Sequence, residues 1–106
     1  MQLRLASIAE RDIRDYALWL DQKQNGLGHD FILAVEATLA DIRRMPRACP
    51  GLHLADFSVD FELRWLTVGR FPYKVVFQLT HDEIFVLGVL HPHRDLDAIL
   101  RSRLGA

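Results

Sequence analysis

The sequence predicts an α+β domain: an N-terminal strand and a helical hairpin packed on a small antiparallel sheet, closed by a short C-terminal helix. Three observations predict it. Two consecutive segments, joined through Asn25-Gly26, repeat apolar residues at helical spacing; three later segments alternate with period two; and Asp95 precedes a final short amphipathic stretch. A helical pair followed by a run of strands is the order of elements that segregates helices to one face of an antiparallel sheet.

In order, Leu3 to Leu5 suit a short strand, and Ser7 with Glu10 has the spacing of a capping box, so the first helix is expected to start at that serine. Ala9, Ile13, Tyr16, Ala17 and Leu20 form its apolar face, with Arg11, Asp12, Asp15 and Asp21 assigned mainly to the opposite one. Asn25-Gly26 tolerates positive φ and ends the helix. A second helix is expected from about Gly28 to Met45, with Phe31, Ile32, Val35, Leu39 and Ile42 as its stripe; Pro46 limits it by disfavouring helical geometry at Met45. Pro46 to Phe57 reads as a crossing loop.

Val59, Phe61, Leu63 and Trp65 then alternate with Asp60, Glu62 and Arg64, which predicts a strand with one buried face. Gly69-Arg70 turns the chain into a second strand bearing Phe71, Tyr73, Val75, Phe77 and Leu79 on one side and Lys74 and Gln78 on the other. Thr80 to Glu83 supplies the next turn, before a strand from Ile84 to His91. Pro92 ends that strand, and Asp95 is placed to cap a helix carrying Leu96, Ile99 and Leu100. In this reading the sheet is a three-stranded meander with one face under the hairpin and the other free for a partner.

The 106 residues suffice for one hydrophobic core and hence one domain spanning 1–106. Half the residues are hydrophobic and a quarter charged, the balance of a soluble folded protein. No apolar run reaches the roughly 20 residues of a membrane span, and Arg4, Glu10, Arg11 and Asp12 interrupt the stretch that a signal peptide would need, so a cytoplasmic location without membrane attachment is expected. Cys49 is the sole cysteine, which excludes an intrachain disulfide. A net charge of −1, from 13 basic and 14 acidic residues, excludes a general electrostatic nucleic-acid binder and requires any basic surface to be local.

The chemistry-bearing residues gather late in the chain. Arg64, the stretch Gly69-Arg70-Phe71-Pro72-Tyr73-Lys74-Val75-Val76-Phe77, the strand Ile84-Phe85-Val86-Leu87-Gly88-Val89-Leu90-His91, and His93-Arg94 followed by Arg101 and Arg103 resemble the ParE/RelE family of bacterial type II toxins. That family has an arginine on the first meander strand, an FPY segment opening the next, an I-x-V-L-x-V-x-H strand, a downstream arginine and often a closing arginine on the terminal helix. Motif-like detail is confined to residues 64–103. The resemblance implies a growth-arresting toxin held inactive by a cognate antitoxin, whose partly disordered tail folds along the toxin surface, and it implies no cofactor.

Two targets are open within the resemblance. ParE-like members bind DNA gyrase and stall it on DNA; RelE-like members cut messenger RNA on the ribosome. RNA cleavage by a 2′-hydroxyl needs proton transfer and cations around the phosphate, for which Arg64, Arg70, His91 and Arg94 are the candidates, with His93 nearby. The balanced net charge and the lack of any tyrosine after Tyr73, where RelE-like nucleases usually carry an aromatic hydroxyl, favour the gyrase-type reading. Candidate partner- and target-binding residues are then Trp19 and Trp65 as aromatic anchors, with Arg64, Lys74, Arg94, Arg101 and Arg103 as cations. Each also has a plain structural reading. Large aromatics in small domains are commonly core or edge residues, Tyr73 shares a face with core positions, Arg64 suits a solvated strand face, and Arg101 and Arg103 complement the negative end of their helix. His91 and His93 lack the third and fourth ligands of a zinc site. A toxin-fold interaction domain without toxicity is the third alternative.

Overall fold

A computed structural model describes residues 1–54 and 60–105. The elements are β1 (Gln2–Leu5), α1 (Ser7–Lys23), α2 (Leu27–Arg44), a 3₁₀ turn (Pro46–Ala48), β2 (Glu62–Thr67), β3 (Lys74–Leu79), β4 (Glu83–Leu90) and α3 (Leu96–Arg103). They form an α+β fold in which the strands lie in the order β1-β4-β3-β2.

The sheet is mixed, which corrects the expected antiparallel one. β2, β3 and β4 make the antiparallel meander, but β1 adds to the outside of β4 in parallel, Leu3 opposite Ile84. Period-two alternation over three or four residues places a strand without stating its neighbour or direction, so this pairing had no local signature.

β1 also explains why the expected capping box does not form. The Ala6 N–H continues the strand by donating to the Val86 carbonyl, and the Ala6 carbonyl accepts from the Ala9 and Glu10 N–H groups. Ala6 thus occupies the N-cap position, Ser7 is already helical, and no side chain caps the helix. α1 ends near the expected Asn25-Gly26, where Gly26 takes φ 91°. Two residues on, Gly28 is buried, and a Cβ there would overlap the Ala17 carbonyl, so glycine sets how closely the two helices approach.

The hairpin buries Ala9, Ala17, Leu20, Phe31, Val35 and Ile42 against Tyr73, Val75, Phe77, Ile84, Val86 and Val89 of the sheet. Ile32, expected on this stripe, is 38% exposed, whereas Thr38 is buried. The Thr38 hydroxyl donates to the Ala34 carbonyl at 2.8 Å, which satisfies the only polar group its burial would strand.

The second sheet face, expected to be free, carries a second core. Leu63, Val76, Leu87 and Leu90 pack with Leu54 and with Leu100 of α3. β2 starts at Glu62; the expected strand residue Val59 and the loop end at Phe57 lie outside the described residues. The outer edge of β2 is occupied by the chain's own residues, Leu52 donating to the Leu63 carbonyl and the Trp65 N–H to the Pro50 carbonyl. Asp95 caps α3 as expected, its side chain accepting from the Ala98 N–H at 3.1 Å.

A β-bulge on β4 makes the two-faced core possible. Val76 pairs with Gly88 but Phe77 with Val86, leaving Leu87 as the extra residue. Unbroken alternation would send residues 84, 86, 88 and 90 to the hairpin side and 85, 87 and 89 to the other; the bulge moves Val89 to the hairpin side and Leu90 to the α3 side, where it joins Leu87.

Candidate functional site

β1 reaches only as far as Val86, so the outer edge of β4 beyond that point has no strand beside it. Side chains from the two ends of the chain occupy it instead. The Val89 N–H donates to Asp12 Oδ2 at 3.0 Å, and the Leu87 carbonyl accepts from Arg103 Nη1 at 3.0 Å. Arg103 and Asp12 also bond to each other in a fork, at 2.6 and 3.0 Å, with side chains only 10% and 9% exposed. Gly88 lies between them, and a Cβ there would overlap the Arg103 guanidinium.

Asp12 therefore is not on the solvent face of α1. It is the buried counter-charge that fixes α3 to α1 across the sheet edge. Arg103 was expected either to bind a partner or to complement its own helix end; it is committed inside the fold. Sequence reasoning missed Asp12 because a carboxylate beside an apolar arc reads as polar-face. Its place one helical turn from both Ala9 and Tyr16 was the available signal.

Next to this pair, the start of β3 and the end of β4 bring a ring cluster together. Tyr16 of α1 lies 4.5 Å from Tyr73 between ring centres, Tyr73 meets His91 edge-on at 5.2 Å, and His91 stacks on His93 at 4.9 Å. His91 Nδ1 accepts from the His93 backbone N–H at 3.1 Å, which holds the Pro92 turn and commits one ring nitrogen. Arg94 Nη1 donates to the Tyr16 hydroxyl at 3.1 Å. Tyr73 is buried among these rings, and burial, with nearby Tyr16 adding, pushes its phenol above the usual range. Arg94 is raised in turn, first by its hydrogen bond to Tyr16 and to a lesser degree by attraction to Asp12.

Of the four residues proposed for RNA cleavage, only His91 and Arg94 belong to this cluster. Arg64 donates to the backbone carbonyls of Arg47 and Cys49 and to Glu62 Oε2, joining β2 to the turn after α2. Arg70 pairs at 3.4 Å with Asp30 in the first turn of α2 and lies over Phe71. The candidate binding residues also divide. Trp19 is 49% exposed on α1, one turn beyond Tyr16, with Lys23 Nζ 4.8 Å above its ring. Trp65 and Lys74 stack on each other at 4.1 Å on the α3 side of the sheet, and Arg101 pairs with Asp97 within α3. A cleft of about 400 Å³ opens at the far end of the sheet, between Arg47, Glu62, Thr80 and His81, and none of the predicted site residues lines it.

Among the described residues, no helix is long and apolar enough to cross a membrane. No protein-family model matches the chain, and no curated protein matches it.

Proposed function

We propose that the chain is the toxin subunit of a type II toxin–antitoxin pair, ParE-like, acting in the cytoplasm as a binding poison of DNA gyrase and neutralised by a cognate antitoxin. The reading starts from the motif-like residues between Arg64 and Arg103, and the order of helices and strands agrees with it. The observation that favours a binding poison over a nuclease is the dispersal of the four polar groups. Cleavage needs its cations and its proton-transfer groups within hydrogen-bond reach of one phosphate. Here Arg64 is spent on main-chain carbonyls and Arg70 on Asp30, while His91 and Arg94 sit together at another part of the sheet.

Induction of the chain alone, and with its neighbouring gene, tests this. Growth arrest relieved by the neighbour, with gyrase-dependent DNA breaks and intact messages, is the expected result. Cleaved messages would replace the gyrase reading by the ribosome-dependent nuclease. Normal growth with soluble protein present would leave a toxin-fold interaction domain.

A further inference from the structure

β4 ends at Leu90, and the turn that follows is held by one residue. Pro92 has no N–H, so the first backbone donors beyond it are those of His93 and Arg94. Both go to His91: its ring Nδ1 accepts from the His93 N–H at 3.1 Å, and its carbonyl accepts from the Arg94 N–H at 3.1 Å. The turn thereby sets where the Arg94 side chain begins, and from there Nη1 reaches the Tyr16 hydroxyl on α1.

An acceptor for the N–H two residues on is the part that asparagine, aspartate or serine commonly takes in a turn. An asparagine oxygen accepts at any pH near neutral. An imidazole Nδ1 accepts only while the ring is neutral and carries its proton on Nε2. A proton taken from solvent uses the Nδ1 lone pair and turns the acceptor into a donor facing the His93 N–H, which then passes to water.

The charged and titratable groups around the ring do not replace that bond. Tyr73 of β3 meets His91 edge-on at 5.2 Å, and His93 stacks on it at 4.9 Å. Lys74 of β3 pairs in register with Leu90 and lies over Trp65. Tyr16 of α1 touches Tyr73 and receives Arg94. Of the acids, Asp12 of α1 is held by Arg103 of α3 and the Val89 N–H, Asp95 caps α3, and Asp15 is exposed on α1. Among the described residues none of these carboxylates accepts a hydrogen bond from His91 or His93, so a proton on His91 finds no acid that keeps the ring in place.

We propose that His91 is a proton-operated latch: neutral, it closes the Pro92 turn and keeps Arg94 on Tyr16; protonated at Nδ1, it opens the turn and releases the Arg94 guanidinium from α1. The latch is a property of the fold and does not depend on which partner the chain binds.

The test follows the ¹⁵N-labelled full chain by NMR between about pH 8 and 5, which spans the ordinary imidazole range. At the upper end, neutral His91 should carry its proton on Nε2. On acidification, solvent exchange of the His93 amide, corrected for its intrinsic pH dependence, should rise about three- to tenfold, the effect of losing one hydrogen bond. Contacts between the Arg94 side chain and the Tyr16 ring should fade with the midpoint of the His91 ring. His93→Gln keeps the backbone donor without the neighbouring imidazole and should leave this response intact. His91→Asn supplies an acceptor that does not titrate and should hold the turn closed at both ends of the range. An Nδ1–H tautomer of neutral His91, exchange at His93 that ignores the His91 ring, Arg94–Tyr16 contacts that persist in acid, a response lost in His93→Gln, or a His91→Asn chain that still opens would each overturn the proposal. The tautomer, the exchange and the contacts are read on the unaltered chain, so the outcome stands even where a variant folds poorly.

Discussion

Arg103 and Asp12 stand 91 residues apart in sequence and form a two-pronged buried ion pair that also hydrogen-bonds the Leu87 carbonyl and the Val89 N–H of β4, past the end of β1. The pair does what a fifth strand would do for that edge, and it ties the last helix to the first. A buried pair of this kind need not be more stabilising than a matched apolar pair, but removing one partner leaves a charge without a counterpart.

Asp12→Ala should therefore cost about 3–5 kcal/mol in urea unfolding, and Arg103→Met alone a similar amount. The double variant Asp12→Leu with Arg103→Met should recover a large part of that loss. Additive losses in the cycle would show that the two side chains act independently. Arg103→Lys should not restore stability, since a lysine ammonium cannot make the fork and reach the Leu87 carbonyl together.

Gly88→Ala should destabilise by about 1–3 kcal/mol, because its Cβ would meet a guanidinium that Asp12 holds in place. In an Arg103→Met background most of that cost should vanish. A cost unchanged by the background would assign the glycine's role to the bulge itself.

Arg64→Gln should cost about 1–3 kcal/mol by releasing the Arg47 and Cys49 carbonyls. It should also speed thiol labelling of Cys49, which is buried behind that contact. An unchanged labelling rate would mean that the turn after α2 holds without the arginine.

Two groups give opposite pH signatures. Arg4 hydrogen-bonds Glu83 and holds its carboxyl below the usual range, so the contribution of Glu83 is present above the ordinary carboxylate pKa and is lost as pH falls through the lower folded value. Tyr73 is raised by burial, so its contribution is complete below the ordinary phenol value of about 10 and is lost as pH rises through the folded value. Arg4→Ala should move the Glu83 titration upward by NMR. Tyr73→Phe should flatten the alkaline limb of the stability curve; a limb of unchanged slope would place the titrating group elsewhere.

Most of the architecture was legible because it rests on local periodicity. The hairpin, the three meander strands and the Asp95 cap follow from side-chain spacing and from Gly26 and Pro46, each a local constraint on the backbone. What escaped depends on contacts distant in sequence. The parallel partner of β1, the burial of Asp12 and the cover that α3 gives the second sheet face each join segments whose own patterns are unaltered by the meeting. The candidate site divides in the same way. Of the four residues grouped by the motif, His91 and Arg94 lie together, while the Arg64 guanidinium is held by Glu62 and the Arg47 and Cys49 carbonyls and that of Arg70 pairs with Asp30. Tyr16, which holds Arg94, read only as an apolar-face residue.

The parallel pairing of β1 with β4 bears on the order in which the chain acquires its structure. Arg4 and Glu83, neighbours across that pairing, are separated by 79 positions. At synthesis rates of roughly 5–20 residues per second, the first strand waits about 4–16 s for its partner to be made. α1 and α2 have all they need for mutual contact long before then. The molecule is thus expected to pass through a stage with a formed hairpin and an apolar face uncovered, and to close only when its last strand and helix arrive. A nascent chain stalled before residue 83 should protect its helices from proteolysis while β1 stays open to it.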